Sequence, residues 1–393
     1  MALMHIPLEG LTEAHLNGVI AADAAESMYI EYKRETYGGK DADRREFLGD
    51  VSSFANTRGG DLLIGVEASN GIPAALSPFQ GDHDAELLRL DNMARTALEP
   101  RIPNLQMRAV PIAAGGSVLV IRAARSFRLP HRVIFGGLNR FYARSAAGKY
   151  EPNVDELRAL FVAAPELADR MRGFRFDRAA TIAARDAPVP LQSDCCLMLH
   201  VVPFSHFDLS PALSMDCVVQ RRLYLPPPGT THAHQSRPNF DGYLSLSNPN
   251  DAGQYRAYMQ VFRAGAIEGA DSSIIRRDGI VDIRELDLSI VRDTRVYAQL
   301  LHDCGAEPPY TVMASVLGVR EHKLAAFNST TYSFHGQLAD REQLHLAETV
   351  IEKVPADDTE CASALRPMLD QLANAAGRVA SVSFDAKGDW QPG

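Results

Sequence analysis

Residues 47–73 read FLGDVSSFANTRGGDLLIGVEASNGIP, and the hydrophobic period of the stretch changes halfway along it. Phe47, Leu48, Val51, Phe54 and Ala55 recur at helical spacing, which predicts a helix over about 43–55 that stops in Asn56, Thr57, Gly59 and Gly60. LLIGV follows as a short apolar run suited to a buried strand, and in SNGIP Gly71 is free to take the positive φ of a turn. A helix running through a glycine pair straight into a buried strand is the signature of a layered α+β unit.

Upstream, ESMYIEYKRE (26–35) alternates like a strand, with Met28 and Ile30 on one face and Ser27, Tyr29, Glu31 and Lys33 on the other. Glu31 can then aim an acid into a cleft, with Glu26 where the chain enters the strand; the alternative is an edge strand with solvated charges. Before it, a helix capped by Thr12 carries Leu16, Val19 and Ile20 on one face. Downstream, a helix over about 84–98, strands over 105–112 and 117–122, a strand in NRFYARS and a closing helix in EPNVDELRALFVAAP, ended by Pro165, complete a unit over 1–165. A linking segment spans 166–195. The remainder, 196–393, reads as a second α+β domain: LMLHVVPF, RRLYL, GYLSL and AYMQVFRAGAIEGADSSII predict a mostly antiparallel sheet, and two helices cover about 283–304 and 361–376. Arg263 and Glu268 of FRAGAIEG suggest a hairpin ion pair.

The 393 residues suffice for two or three cores, and no apolar run approaches a membrane span. The first twenty residues hold no basic leader followed by an apolar segment, so the expected location is the cytoplasm. Five cysteines without CxxC spacing are expected to be reduced. The formal net charge is -9, yet residues 101–150 contain nine Lys and Arg and no acid. Such a stretch either attracts a polyanion or pairs with acids elsewhere, for example Asp82, Asp84 and Glu86.

Read together, ESMYIEYK, FLGDVSSFANTRGGDLLIGVEASNGIP and NRFYARSAAGKYEPNVDELRALF resemble, in order and spacing, the Schlafen AlbA-2 domain over about residues 10–165. The resemblance implies a metal-dependent endoribonuclease acting on structured RNA such as transfer RNA, in antiphage defence or stress response. It carries the three-carboxylate centre onto Glu26, Glu31 and Glu67, the last a glutamate where aspartate is usual, and so implies Mg²⁺ or Mn²⁺ as cofactor. Lys33 either steadies the scissile phosphate or pairs with these acids. Arg122, Arg125, Arg128, Arg132, Arg140, Arg144 and Lys149 are the expected phosphate contacts. With one such unit and no internal repeat, a homodimer would supply a second lobe. The rival is a nucleic-acid-binding regulatory module without catalysis. ATP binding is not supported, since neither TRGGDLLIGV nor SAAGKY has the GK[ST] ending of a phosphate loop.

Overall fold

The computed structural model describes residues 3–391 other than 104, 127, 208–212, 222–224, 277–278, 329–332 and 386. The chain is α+β and divides into two compact units, Met1–Ala168 and Asp169–Gly393.

The first unit opens with α1 (Glu13–Ala21), β1 (Ile30–Lys33), α2 (Asp41–Ala55) and β2 (Gly59–Ile64). A hairpin of β3 (Val66–Ser69) and β4 (Ile72–Leu76) precedes α3 (His83–Ala97) and the short β5 (Leu98–Glu99). β6 (Leu105–Pro111), β7 (Ser117–Ala124), β8 (Arg132–Val133), β9 (Arg140–Phe141), β10 (Ala143–Ser145) and β11 (Gly148–Tyr150) follow. The main sheet has the order β1-β2-β7-β6; β1 runs parallel to β2, and the other two pairings are antiparallel.

Both faces of this sheet are covered, which explains the unbroken apolar run of LLIGV. Leu62 and Ile64 pack with Leu119 and Ile121 against Phe47, Val51 and Phe54 of α2, while Leu63 packs with Val118 and Val120 against Leu16 and Val19 of α1. Period-two alternation thus sends every second residue to a different core. Asn56 ties the end of α2 to two later segments: its side-chain amide donates to the carbonyls of His131 and Tyr142, both at 2.9 Å, and its oxygen accepts from the His131 amide at 2.6 Å. Gly60 has no alternative residue, because a Cβ there would lie 2.2 Å from the Phe54 ring and 2.7 Å from the Tyr29 carbonyl.

Two expectations change here. NRFYARS is not one strand, since its halves pair in different sheets, β9 with β8 and β10 with β11. The closing helix α4 (Val154–Ala183) does not stop at Pro165 but continues to Ala183. Its last turns are anchored, with Ala179 and Ile182 buried beside Met198 and Leu244.

In the second unit, β12 (Cys196–Pro203), the short α5 (Met215–Gln220), β13 (Gln235–Pro238), β14 (Gly242–Leu246), β15 (Ala257–Phe262) and β16 (Ile267–Asp271) come first. Next are β17 (Ile280–Asp282), α6 (Ile283–Asp303), β18 (Tyr310–Leu317), β19 (Lys323–Asn328) and β20 (Ser333–Leu338). β21 (Gln343–His345), β22 (Thr349–Ile351) and α7 (Asp358–Ala375) end the unit. An antiparallel sheet of order β13-β14-β15-β16-β12-β18-β21, with β22 also on β18, is backed by α6 and α7. Residues 222–224 of the strand expected in RRLYL lie outside the described residues.

Glu268 does not pair with Arg263. It is fully buried, takes two hydrogen bonds from Arg178 at 2.7 and 2.8 Å and contacts His200 Nε2 at 2.8 Å. Burial pushes its carboxyl up, but these partners outweigh that and hold it at about 2. Arg263 instead donates to the Phe240 carbonyl. Cys217 and Cys304, expected to be reduced, form a disulfide with Cα atoms 5.4 Å apart; Cys195, Cys196 and Cys361 are buried thiols. Among the described residues no helix is long and apolar enough to cross a membrane.

Candidate active site

In β1, Ile30 and Tyr32 face the core, so Glu31 and Lys33 are turned to the other side. Glu26 lies just before the strand, where its amide donates to the Gly71 carbonyl at 2.7 Å. The Tyr32 amide donates to Glu26 Oε1 at 3.2 Å. Burial and the nearby Glu31 charge raise the Glu26 carboxyl above its ordinary range, against the pull of the Tyr32 amide, Lys33 and Arg144. Glu26 and Glu31 are therefore brought together as an interacting pair of half-buried acids.

Each Glu31 oxygen already meets a cation. Oε1 lies 3.1 Å from Lys33 Nζ, and Oε2 accepts from Arg144. The Arg144 side chain is fully buried, its guanidinium lies 4.3 Å from the centre of the Phe54 ring, and its backbone amide donates to Thr57 Oγ1 at 2.9 Å. FANTRGG thus does more than end a helix: Phe54 and Thr57 fix the arginine that holds Glu31.

Two acids of α2 that the motif comparison does not single out, Glu46 and Asp50, complete the cluster. Lys33 Nζ lies 2.6 Å from Glu46 Oε1 and 3.7 Å from Asp50 Oδ2. Asp50 is buried; it accepts from the Tyr37 hydroxyl at 2.7 Å and meets Lys149 Nζ at 2.8 Å. Burial pulls the Lys33 ammonium down, but Asp50, Glu46 and Glu31 together hold it above the ordinary lysine range. The same acid and burial raise the Tyr37 hydroxyl well above its usual range. A readable signal existed for Asp50: it falls on the stripe of Phe47, Val51 and Phe54, where a lone acid on an apolar helix face requires partners.

Glu67 stands apart from this group. It is half-exposed on β3, at a bulge of the hairpin, and its ion-pair partner is Arg34 at 3.7 Å. For Mg²⁺ or Mn²⁺ the donor chemistry is suitable, hard carboxylate oxygens, but the arrangement is not. Glu31 is engaged on both oxygens, and among the described residues no group of three or more His, Cys, Asp or Glu is placed to hold a metal ion.

The basic stretch is largely paired with acids from outside it. Arg122 is not a surface residue: it is buried in a two-pronged pair with Asp61, at 2.7 and 3.0 Å, and donates to the Ile6 and Leu3 carbonyls. Arg144 is buried as well. Arg132 pairs with Glu99, Arg140 with Glu151 and Lys149 with Asp50, acids other than Asp82, Asp84 and Glu86. Arg128 is exposed and Arg125 half-buried.

Residues 26–153 match the family described as Schlafen, AlbA_2. The first unit holds a domain similar to Schlafen AlbA_2 over these residues. No curated protein matches the chain. Among solved structures, the DIP2311 protein of Corynebacterium diphtheriae is similar at 20% identity and TM-score 0.28, over 39% of this chain and 28% of that one. The N-terminal domain of a RecG-related protein from Nitrosomonas europaea, named for an ATP-dependent DNA helicase, is similar at 21% identity and TM-score 0.28, over 37% of this chain and 94% of that one. The chain therefore spans about a quarter of the first of these. A TM-score of 0.28 is too low for either likeness to bear on function. The AlbA_2 match points to a nucleic-acid-related function.

Proposed function

We propose that the AlbA_2 domain is an endoribonuclease acting on structured RNA of the transfer-RNA class. One observation carries the reading: two interacting half-buried acids, Glu26 and Glu31, stand against cations gathered from separate strands, Lys33 and Arg144. Cleavage of a phosphodiester needs a group that handles a proton and positive charge against the phosphate. Glu26 suits the first task. One oxygen is fixed by the Tyr32 amide, and a raised carboxyl holds its proton to higher pH than an ordinary glutamate. Lys33, partly exposed beside Glu31, suits the second, while the buried Arg144 holds Glu31 in place.

Mg²⁺ or Mn²⁺ dependence belongs to this proposal because the family resemblance implies it, not because the acids stand ready for it. The engagement of both Glu31 oxygens favours the rival, a module that binds nucleic acid without cutting it. Incubating transfer RNA with wild type, Glu26→Gln and Glu31→Gln, with metal and with EDTA, separates the two. The nuclease reading expects a loss of about 10²-fold or more in either variant. Equal rates in all three proteins leave the binding module. A homodimer is proposed as the source of a second RNA-facing lobe, and a monomeric mass by light scattering under cleaving conditions excludes it.

A further inference from the structure

Asp50 is an acid for which neither the fold nor the proposed chemistry alone accounts. It lies in the middle of a helix, 2% exposed, on the face that otherwise packs the core. An unpaired carboxylate there would be costly, and a neutral side chain of the same shape would serve the packing equally well. Its partners are instead two lysines, of which Lys33 also meets Glu31: Lys149 Nζ from β11 at 2.8 Å and Lys33 Nζ from β1 at 3.7 Å. The Tyr37 hydroxyl, at 2.7 Å, fixes the carboxylate from a third side. Even the neighbouring glycine fits this use. A Cβ on Gly49 would lie 3.0 Å from Lys149 Nζ and 3.2 Å from its Cδ, so a glycine inside α2 leaves the path by which Lys149 crosses the helix.

We propose that Asp50 is a positioning residue that sets the spacing of Lys149 and of Lys33, the lysine in contact with Glu31, so that both ammonium groups meet the RNA backbone in a fixed geometry. The inference rests on the nuclease reading for its kinetic consequence, but not for its structural one. A lysine ammonium on a four-carbon stem loses much rotamer freedom when fixed, and a buried carboxylate shared by two of them supplies that order before the substrate arrives. Glu46 assists at Lys33 from the surface, where its carboxylate is half-exposed.

The test is Asp50→Asn, which keeps the shape and removes the charge. Two measurements are made on the full chain: steady-state cleavage of transfer RNA at equal folded concentration, and NMR relaxation of ¹³C-dimethylated lysines, assigned through Lys33→Arg and Lys149→Arg, which reads how firmly each ammonium is held. The expected result is a fall in kcat of at least about tenfold with KM unchanged or lower, together with freer motion of both lysine ammonium groups. A purely structural aspartate would change folded yield and leave kcat per folded molecule intact, which overturns the proposal. Lysine relaxation that does not change overturns it too. If wild type cuts no RNA, the nuclease reading falls, and the relaxation alone decides whether Asp50 holds the pair. Should Asp50→Asn fail to fold, Asp50→Glu keeps the charge and displaces both lysines by a methylene; a lowered kcat at wild-type KM then supports the role, and an unchanged kcat rejects it.

Discussion

At the scale of single residues, the site is governed by which charge meets which. Glu26 titrates above its ordinary range mainly because it is partly buried and secondarily because Glu31 repels it. A carboxyl raised in the folded state contributes stability below its unfolded value and loses that contribution as pH rises through the folded one. Glu31→Gln removes the repulsion, so the Glu26 carboxyl should move back toward its ordinary range, followed by ¹³C NMR of the glutamate side chains; an unmoved Glu26 would show that the two acids do not interact. Arg122 gives the opposite kind of case. Arg122→Met leaves Asp61 buried without its partner and should destabilise the protein by roughly 3 to 5 kcal/mol in urea unfolding. The sequence made Glu26, Glu31 and Lys33 visible because strand alternation and a known motif fall on the same residues. It could not separate Arg122 from Arg128, because a run of arginines without acids looks the same whether its partners are phosphates or distant aspartates.

At the scale of elements, what was legible follows from local rules, and what was not depends on distant packing. The helix 41–55 and the strand after it are where the apolar period places them, because both bury a face that the period alone defines. Glycines 59 and 60 fit as well: the first has φ +78°, and the second leaves room for the Phe54 ring. Gly60→Ala should therefore cost more than an ordinary glycine replacement in a strand, on the order of 2 kcal/mol or more, because a rigid ring and a carbonyl both stand where the Cβ must go. A thermal midpoint equal to wild type would show that α2 can shift away from β2. The misread ends have one cause. A proline is a stop signal only while nothing beyond it anchors the helix, and for α4 the anchors, Arg178 against Glu268 and Ile182 in a core, come from strands far away in sequence. NRFYARS divided for a similar reason, since Thr57 takes the Arg144 amide and the second half of the segment pairs with β11.

At the scale of the whole molecule, a net charge of -9 must coexist with attraction to a polyanion. That is possible only if the cations offered to RNA are local, because exposed charges are screened beyond roughly 8 to 10 Å in physiological salt. Of the seven expected phosphate contacts, Arg122 and Arg144 are buried. At most Arg125, Arg128, Arg132, Arg140 and Lys149 remain, all of them already engaged, and Arg132 and Arg140 must each compete with an acid already in place. Each neutralised phosphate contributes about 0.7 to 0.9 to the slope of log affinity against log salt, so full use of these five gives a slope of about -3.5 to -4.5. Retention of the ion pairs with Glu99 and Glu151 would give a shallower one. Charge reversal at Arg128 and Arg132 should flatten the slope while the protein stays folded, whereas reversal at Arg122 should reduce folded yield and leave the slope of the surviving protein unchanged. Titrating fluorescent transfer RNA with each variant across a salt series reads both effects. A slope in the wild type steeper than these five contacts and Lys33 together allow would mean that further cations outside 101–150 face the RNA, and an affinity indifferent to salt would remove this stretch from the interface altogether.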